Sequence, residues 1–211
     1  MVGIYLIGLI AQVFFSARML IQWILSEKKK KVVSPSLYWV FSLLGAYLLC
    51  IYGWLRNDFS IILGQFISFY VYIWNLKEKG LWNKLPRILQ AILVMTPVVA
   101  AVFALNDFHS FIDSFFMDED IPLWLIIMGS IGQVIFTLRF VYQWYYSKKF
   151  GASVLPVNFW IISLVGSLTI ALYGIIRLDP ILILGQSTGF IVYIRNIMIG
   201  NNRETKKDKR E

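Results

Sequence analysis

Apolar positions run through the chain in seven long blocks, separated by short polar or charged segments. The blocks cover residues 4–25, 36–55, 59–76, 88–105, 122–146, 157–177 and 179–199. An α-helix of about 20 mainly apolar residues is long enough to cross a bilayer, and the blocks have this length. The pattern therefore predicts an all-α integral membrane protein with seven transmembrane helices.

The composition agrees, with 58% hydrophobic residues and a mean hydropathy of +0.68. The net charge of +8 is distributed unevenly, because most cations fall in segments that seven spans would place on one side. Under the positive-inside rule that side is the cytoplasm, so we expect an outside N-terminus and a cytoplasmic C-terminus. No nucleic-acid-binding motif accompanies the charge; we expect the basic segments to contact anionic inner-leaflet lipids.

An internal duplication organises the sequence. With an offset of 121 residues, 8–75 aligns with 129–196 without a gap, and 29 of the 68 positions are identical. Each copy holds three helices, and the unpaired helix between them restores the orientation, so the two triple-helix bundles are expected to be parallel (3+1+3). The predicted parts are a first repeat (4–76), a linker helix (88–105), an extracytoplasmic loop (106–121), a second repeat (122–199) and a basic cytoplasmic tail (200–211).

Polar residues in the third helix of each copy follow a helical stripe. The spacing places them on one face, which should not be turned to lipid. They can hydrogen-bond neighbouring helices or line a polar path for a ligand, and the sequence leaves both open. The ligand-binding candidates on this stripe are Gln65, Tyr72 and Asn75, with Gln186, Tyr193 and Asn196 in the second copy.

Two arginines occupy matched positions inside the first helix of each copy, Arg18 and Arg139. An arginine at the centre of a membrane costs about 2.5–3.5 kcal/mol on insertion scales. Parallel copies would put both at the same depth, where two guanidinium groups suit a bound phosphate or carboxylate. The alternative is that each binds backbone carbonyls or reaches lipid phosphate at the surface. The glutamines grouped with them as ligand-binding candidates are Gln22, Gln143, Gln12 and Gln133.

Catalytic and metal-binding patterns are not evident in the sequence. There is no nucleophile–base pair, no phosphate-binding glycine loop and no cluster of metal ligands. The lone Cys50 lies within a predicted helix and cannot form an intramolecular disulfide. We therefore expect no cofactor, no metal and no enzymatic activity from this chain.

Four motifs at 132–196, repeated more loosely at 11–75, carry a resemblance to a known family. They are GQxxFxxRxxxQWxxS, PxxFWxxSLxG, YxxxRxDP and LGQxxxxxxYIRN. The chain resembles the lipid-A-disaccharide synthase N-terminal domain family, which implies membrane handling of a glycolipid in the bacterial inner membrane. The resemblance also implies that the catalytic domain of the fused synthases is absent. The 3+1+3 plan is similar to that of PQ-loop and SWEET-type proteins.

The two copies depart from the family pattern at different places. The first has Trp74 where the pattern has arginine, and the second has Lys148 where the pattern has an acid. Arg195 is therefore a ligand-binding candidate without a twin.

Three functions remain open at this stage. The first is a transporter or flippase for a phosphate-bearing glycolipid, such as a polyprenyl-phosphate sugar or a lipid A-type intermediate, with Arg18 and Arg139 on the phosphate. The second is a non-catalytic membrane partner that docks a glycosyltransferase and presents its lipid substrate. The third, of lower rank, is a SWEET-type transporter of small sugars.

Overall fold

The structure is a computed structural model that describes residues 2–55, 59–105, 122–176, 178 and 180–208. All regular secondary structure in these ranges is helical. The seven α-helices are α1 (Val2–Lys29), α2 (Ser36–Leu55), α3 (Phe59–Glu78), α4 (Arg87–Leu105), α5 (Leu123–Phe150), α6 (Val157–Ile176) and α7 (Pro180–Asp208), with a 3₁₀ turn at Trp82–Lys84 before α4.

The prediction of an all-helical protein with seven helices is confirmed for the described residues. Within the part of the chain that the structure describes, three helices are long and apolar enough to cross a membrane, namely Tyr5–Lys29, Leu123–Phe150 and Val157–Ile176. Ser36–Tyr52 and Arg87–Val99 are shorter apolar helices. The 3+1+3 arrangement, the PQ-loop relation and the membrane topology stay predictions. The predicted loop 106–121 lies outside the described residues.

The last helix is longer than its apolar block. The block ends at residue 199, but α7 continues to Asp208. Hydropathy marks where a helix leaves an apolar environment, whereas lysine and glutamate are good helix formers in water. The first part of the predicted basic tail is therefore helical.

The same turn follows the first helix of each copy. The backbone N–H of Lys31 donates to the carbonyl oxygen of Ser26 at 3.3 Å. The backbone N–H of Ala152 donates to the carbonyl oxygen of Ser147 at 3.2 Å. Each turn contains one residue with positive φ, Lys30 (49°) and Gly151 (71°), as expected at a helix C-terminus of the Schellman type. A proline directly precedes α2, and another directly precedes α6. The connection between the first and second helix therefore ends in the same way in both copies.

The described chain forms two compact units. The first contains Met1–Ala17 and Trp39–Ile126, and the second contains Arg18–Tyr38 and Ile127–Glu211. The boundary lies within α1, so the second half of α1 belongs to the unit that also holds the second sequence copy. The predicted division into repeats is not tested by these bounds and stays a prediction.

Close contacts between glycines and aromatic rings hold the helices in the first unit. A Cβ on Gly8 would lie 3.1 Å from the Tyr52 ring, and one on Gly45 would lie 2.8 Å from the Phe15 ring. These glycines therefore let an aromatic side chain pack directly on a helix backbone. On the other side of α2, Trp39 packs against Tyr72 of α3, with ring centres 6.1 Å apart.

The second unit repeats these contacts at the duplicated positions. A Cβ on Gly129 would lie 2.8 Å from the Tyr173 ring, and one on Gly166 would lie 2.8 Å from the backbone nitrogen of Phe136. Trp160 of α6 packs against Tyr193 of α7 at 6.1 Å. The duplication in sequence is thus also a duplication in packing, which supports a helix-packing role for the glycines.

Replacing the two matched glycines by alanine should have unequal effects on stability. Gly166→Ala places its methyl group against the Phe136 backbone, which cannot move aside, so we expect a loss of about 1–3 kcal/mol from overpacking. Gly45→Ala meets the Phe15 ring, whose side chain can rotate, and alanine gains helix propensity. Thermal unfolding in detergent measures both; an equal or larger loss for Gly45→Ala would contradict this packing.

Candidate functional site

Arg18 and Arg139 are both buried among aromatic side chains in the second unit. Only 6% of the Arg18 surface and 4% of the Arg139 surface is exposed. The guanidinium carbon of Arg139 lies 3.2 Å from the ring centre of Phe136, one turn earlier on α5. The guanidinium carbon of Arg18 lies 5.3 Å from the ring centre of Tyr38. Aromatic faces within about 6 Å attract a cation, and more strongly when water is excluded, so these rings stabilise the buried charges.

One phenyl ring is shared by the two arginines. The ring centre of Phe140 lies 5.7 Å from the guanidinium carbon of Arg18 and 4.5 Å from that of Arg139. Both distances are measured to one point, so the two guanidinium carbons are at most about 10 Å apart. Phe140 itself is 2% exposed. The structure therefore brings the two sequence-predicted arginines together in one aromatic cluster.

Two positive charges at this separation repel each other. At 10 Å and an effective dielectric constant of about 20, the repulsion is about 1.7 kcal/mol. An anion that contacts both guanidinium groups would be attracted by each of them, and this attraction would exceed the repulsion between the two cations. Two guanidinium groups in this arrangement have the charge and the donors that suit a phosphate or carboxylate group.

Gln22 and Asn196 form a reciprocal amide pair in the same unit. Gln22 Nε2 donates to Asn196 Oδ1 at 2.8 Å, and Asn196 Nδ2 donates to Gln22 Oε1 at 2.9 Å. Both side chains are completely buried. This pair joins α1, from the first sequence copy, to α7, from the second copy.

The glutamines also fix the turn that follows each first helix. Gln22 Nε2 donates to Ser26 Oγ at 2.9 Å, and Gln143 Nε2 donates to Ser147 Oγ at 2.8 Å. Gln143 Nε2 further donates to the carbonyl of Val154 at 2.8 Å. Some of the hydrogen bonds of these two glutamines therefore stabilise the local turn.

A second link between α1 and α7 is ionic. Arg195 donates through Nη2 to Glu27 Oε2 at 3.1 Å and through Nε to Glu27 Oε1, which makes the pair bidentate. The Trp23 indole N–H donates to the same carboxylate at 3.2 Å. The positions that correspond to Glu27 and Arg195 in the other copy carry Lys148 and Trp74. The position matched to the acid carries lysine, and the position matched to the arginine carries tryptophan. Neither partner of this ion pair is therefore kept at the matched positions.

The remaining candidates are placed as follows. Gln12 and Gln133 are exposed, Gln65 is half-buried, and Tyr72, Asn75 and Tyr193 are buried. Gln186 is half-buried and accepts a hydrogen bond from Ser167 Oγ at 2.8 Å. Asn75 donates to the Val71 carbonyl on its own helix at 2.8 Å. The cluster around the arginines therefore contains only some of the residues predicted as ligands.

Sequence reasoning missed the aromatic surroundings of the arginines. The contributing rings are Tyr38, Phe136, Phe140 and Phe159. One signal was available, because Phe136 precedes Arg139 by three residues and such pairs face each other on a helix. The contact of Phe140 with Arg18 comes from another helix and has no local signal.

The family model described as Lipid A Biosynthesis N-terminal domain matches residues 7–77 and 128–198. These ranges contain both arginines and cover more than half of the chain. The chain belongs to this lipid A biosynthesis N-terminal domain family. The recognition made from the sequence motifs is confirmed, and the two matches correspond to the two copies of the internal duplication.

Curated relatives of this family member carry one name. Lipid-A-disaccharide synthases of Chlamydia felis and Chlamydia abortus are 31% and 32% identical to it, over 93% of this chain and 33% of each relative. The protein of that name from Chlamydia trachomatis serovar D is 28% identical over 97% of this chain and 35% of its own length. This chain thus spans about a third of the relatives that it matches. No solved structure matches it significantly.

The names of the relatives correct one prediction. The expectation of no enzymatic role is wrong as a statement about this family, because a lipid-A-disaccharide synthase is an enzyme. The expectation depended on the lack of catalytic groups among 211 residues. Such a lack says nothing about proteins roughly three times as long.

Breaking the amide pair from one side should destabilise this family member. Gln22→Leu or Asn196→Leu leaves the partner amide buried without the two hydrogen bonds of the pair, at a cost of about 1–3 kcal/mol. The double substitution removes both amides and should cost less than the sum of the two single changes. The measurement is a double-mutant cycle of unfolding free energy.

Gln12→Leu is the matched control, since it changes an exposed glutamine ten residues earlier on the same helix. We expect a change within about 0.5 kcal/mol. Strictly additive effects of Gln22→Leu and Asn196→Leu would show that the amide pair does not form.

Proposed function

We propose that this family member binds a phosphate-bearing glycolipid inside the membrane and moves it across the bilayer as a flippase during lipid A biosynthesis. The ligand is a polyprenyl-phosphate sugar or a lipid A-type intermediate. The observation that carries the proposal is the pair of buried guanidinium groups, Arg18 and Arg139, both within about 6 Å of the shared Phe140 ring centre.

Chemistry favours a phosphate at this cluster. A guanidinium group presents a planar fork of N–H donors that matches two phosphate oxygens. One phosphate can contact both forks when the guanidinium carbons are about 8 Å apart or closer, which lies within the upper limit of about 10 Å. A neutral sugar offers no negative charge to either guanidinium group, which makes free sugar the poorer ligand.

A lipid-linked ligand is supported by the surroundings and by the family. Large apolar side chains are exposed along the helices that carry the arginines, including Leu20 and Ile24 on α1 and Val134 and Leu138 on α5. An acyl or prenyl chain can lie along such surfaces while the head group lies among the buried polar groups. The family is named for lipid A biosynthesis. The relatives of this chain are named lipid-A-disaccharide synthase.

Movement of the head group would require the polar contacts to change partners. The amides of Gln22 and Asn196 already bind each other, so sugar hydroxyls can use them only when α1 and α7 separate. Rocking of two parallel repeats against each other is the motion that transporters built from such repeats use. In this account the polar stripe with Gln65 and Gln186 lines the path of the sugar. The chain lies in the bacterial inner membrane with its C-terminus in the cytoplasm.

The double variant Arg18→Ala plus Arg139→Ala should abolish translocation of a polyprenyl-phosphate sugar in proteoliposomes. Each arginine-to-phosphate contact is worth about 1.5–3 kcal/mol, so each single variant should weaken binding by about 10- to 150-fold. The corresponding lysine variants keep the charge but lose the fork and should be intermediate.

Arg87→Ala is the matched control, because Arg87 is an exposed arginine at the first turn of α4. It should transport at the rate of the unchanged protein. Normal transport by a folded Arg18→Ala plus Arg139→Ala protein would exclude the proposed phosphate contact.

A second candidate function is presentation of the lipid to a lipid-A-disaccharide synthase. It is favoured by the relatives, in which a region similar to this chain makes up about a third of a protein with that name. Here the same arginines would hold the phosphate, but the lipid would be handed to the synthase. Stable co-purification with a synthase and no translocation by the chain alone would favour this function.

A further inference from the structure

Trp160 carries a buried hydrogen-bond donor that the fold does not use. The side chain is completely buried, and its indole Nε1 has no hydrogen-bond acceptor among the residues that the structure describes. A buried N–H without an acceptor loses its bonds to water and gains none in return. Such a group needs a reason to be kept.

Neighbouring polar groups on α6 are satisfied. Ser163 Oγ donates to the carbonyl of Phe159 at 2.6 Å, and Ser167 Oγ donates to Gln186 Oε1 at 2.8 Å. Both serines lie on the α6 positions that follow Trp160 by three and seven residues, on the same side of the helix. The unsatisfied indole is therefore not part of a generally poor hydrogen-bond network.

The indole lies close to the arginine cluster. Its ring packs edge-to-face on Phe159, with centres 4.9 Å apart and an interplanar angle of 87°. Arg139 lies near the same phenyl ring, with its guanidinium carbon 6.0 Å from the Phe159 ring centre. Both distances are measured to the Phe159 ring centre. The guanidinium carbon of Arg139 is therefore at most about 11 Å from the centre of the Trp160 ring.

A ligand that reaches both side chains within this upper limit can be a phosphate followed by one sugar ring. Phosphorus lies about 4 Å from a guanidinium carbon when the two form a bidentate pair. The rest of the span accommodates a hexose attached directly to the phosphate, whose hydroxyl and ring oxygens can accept a hydrogen bond. Tyr193 also packs against the indole, with ring centres 6.1 Å apart, and so restricts its orientation.

We propose that the Trp160 indole N–H donates a hydrogen bond to a sugar oxygen of the ligand whose phosphate is bound by Arg139. The proposal rests on the proposed function and narrows its substrate class to lipids in which a sugar is joined directly to the phosphate. Trp160 then contributes to selection of the sugar-bearing lipid over the bare lipid phosphate, whereas the arginines bind both.

The test compares binding of two probes in detergent, polyprenyl phosphate and polyprenyl phosphoryl glucose. Trp160→Phe keeps an aromatic ring but removes the donor. We expect affinity for the glucose-bearing probe to fall about 3- to 10-fold, the usual range for one neutral hydrogen bond, and affinity for polyprenyl phosphate to stay unchanged. Replacement of Trp160 by 3-benzothienylalanine, which has sulfur in place of the N–H and nearly the same shape, should give the same result without a change in packing.

Trp39→Phe is the matched control, because Trp39 packs on Tyr72 in the corresponding pair of the first unit, at 6.1 Å and 43°. It should leave the preference between the probes unchanged. Equal losses for both probes in the Trp160 variants, or the same loss of preference in Trp39→Phe, would show a packing effect and overturn the proposal. Unchanged binding of both probes in the Trp160 variants would also overturn it.

The Arg18→Ala plus Arg139→Ala protein separates this proposal from the proposed function. If it binds polyprenyl phosphate normally, the phosphate site itself is wrong and the Trp160 proposal fails with it. If it loses both probes while the Trp160 variants lose neither, the phosphate site stands and only the sugar contact is wrong.

Discussion

Burial of two guanidinium groups beside one phenyl ring is the constraint on which the second unit depends. A charged side chain in an apolar interior loses its hydration, and the loss must be offset by contacts that the fold supplies. Aromatic faces supply some of these contacts, and the Phe140 ring lies near both Arg18 and Arg139. The rings lower the cost of burying the charges but leave them positive. The cluster thus combines a stable fold with an attraction for anions.

Around this cluster, the polar contacts between α1 and α7 have two different characters. The amide pair of Gln22 and Asn196 is fully buried, whereas the bidentate pair of Glu27 and Arg195 is partly exposed. Hydrogen bonds of both kinds can be exchanged for bonds to a ligand or to water more readily than apolar packing can be rebuilt. A contact made in this way suits helices that must separate and close again. The glycine contacts within each unit, in contrast, fix helices against each other.

The sequence predicted the framework well because the framework depends on periodic and repeated features. Seven apolar blocks became seven helices, and the offset of 121 residues predicted matched glycine, tryptophan and arginine positions whose packing is also matched. The duplication predicted that Arg18 and Arg139 share one depth, but it left open whether they lie near each other. The end of α7 was misjudged because apolar length and helical length are different quantities.

Partners of individual side chains were beyond the sequence. Gln22 and Asn196 were predicted as ligand-binding candidates, but their mutual hydrogen bonds join residues 174 apart, and no spacing rule predicts such a pair. Trp160 stood out as one of many matched positions, and its unsatisfied N–H is visible only once its neighbours are known. The phenyl ring shared by the arginines replaces methionine at the matched position of the first copy, Met19, so the duplication gave no hint of it.

The most direct measurement is a structure of this protein by electron cryomicroscopy with polyprenyl phosphoryl glucose bound. The account predicts the phosphate between Arg18 and Arg139, within hydrogen-bond distance of both guanidinium groups. A lipid phosphate bound elsewhere, with both guanidinium groups still in contact only with the protein, would contradict it.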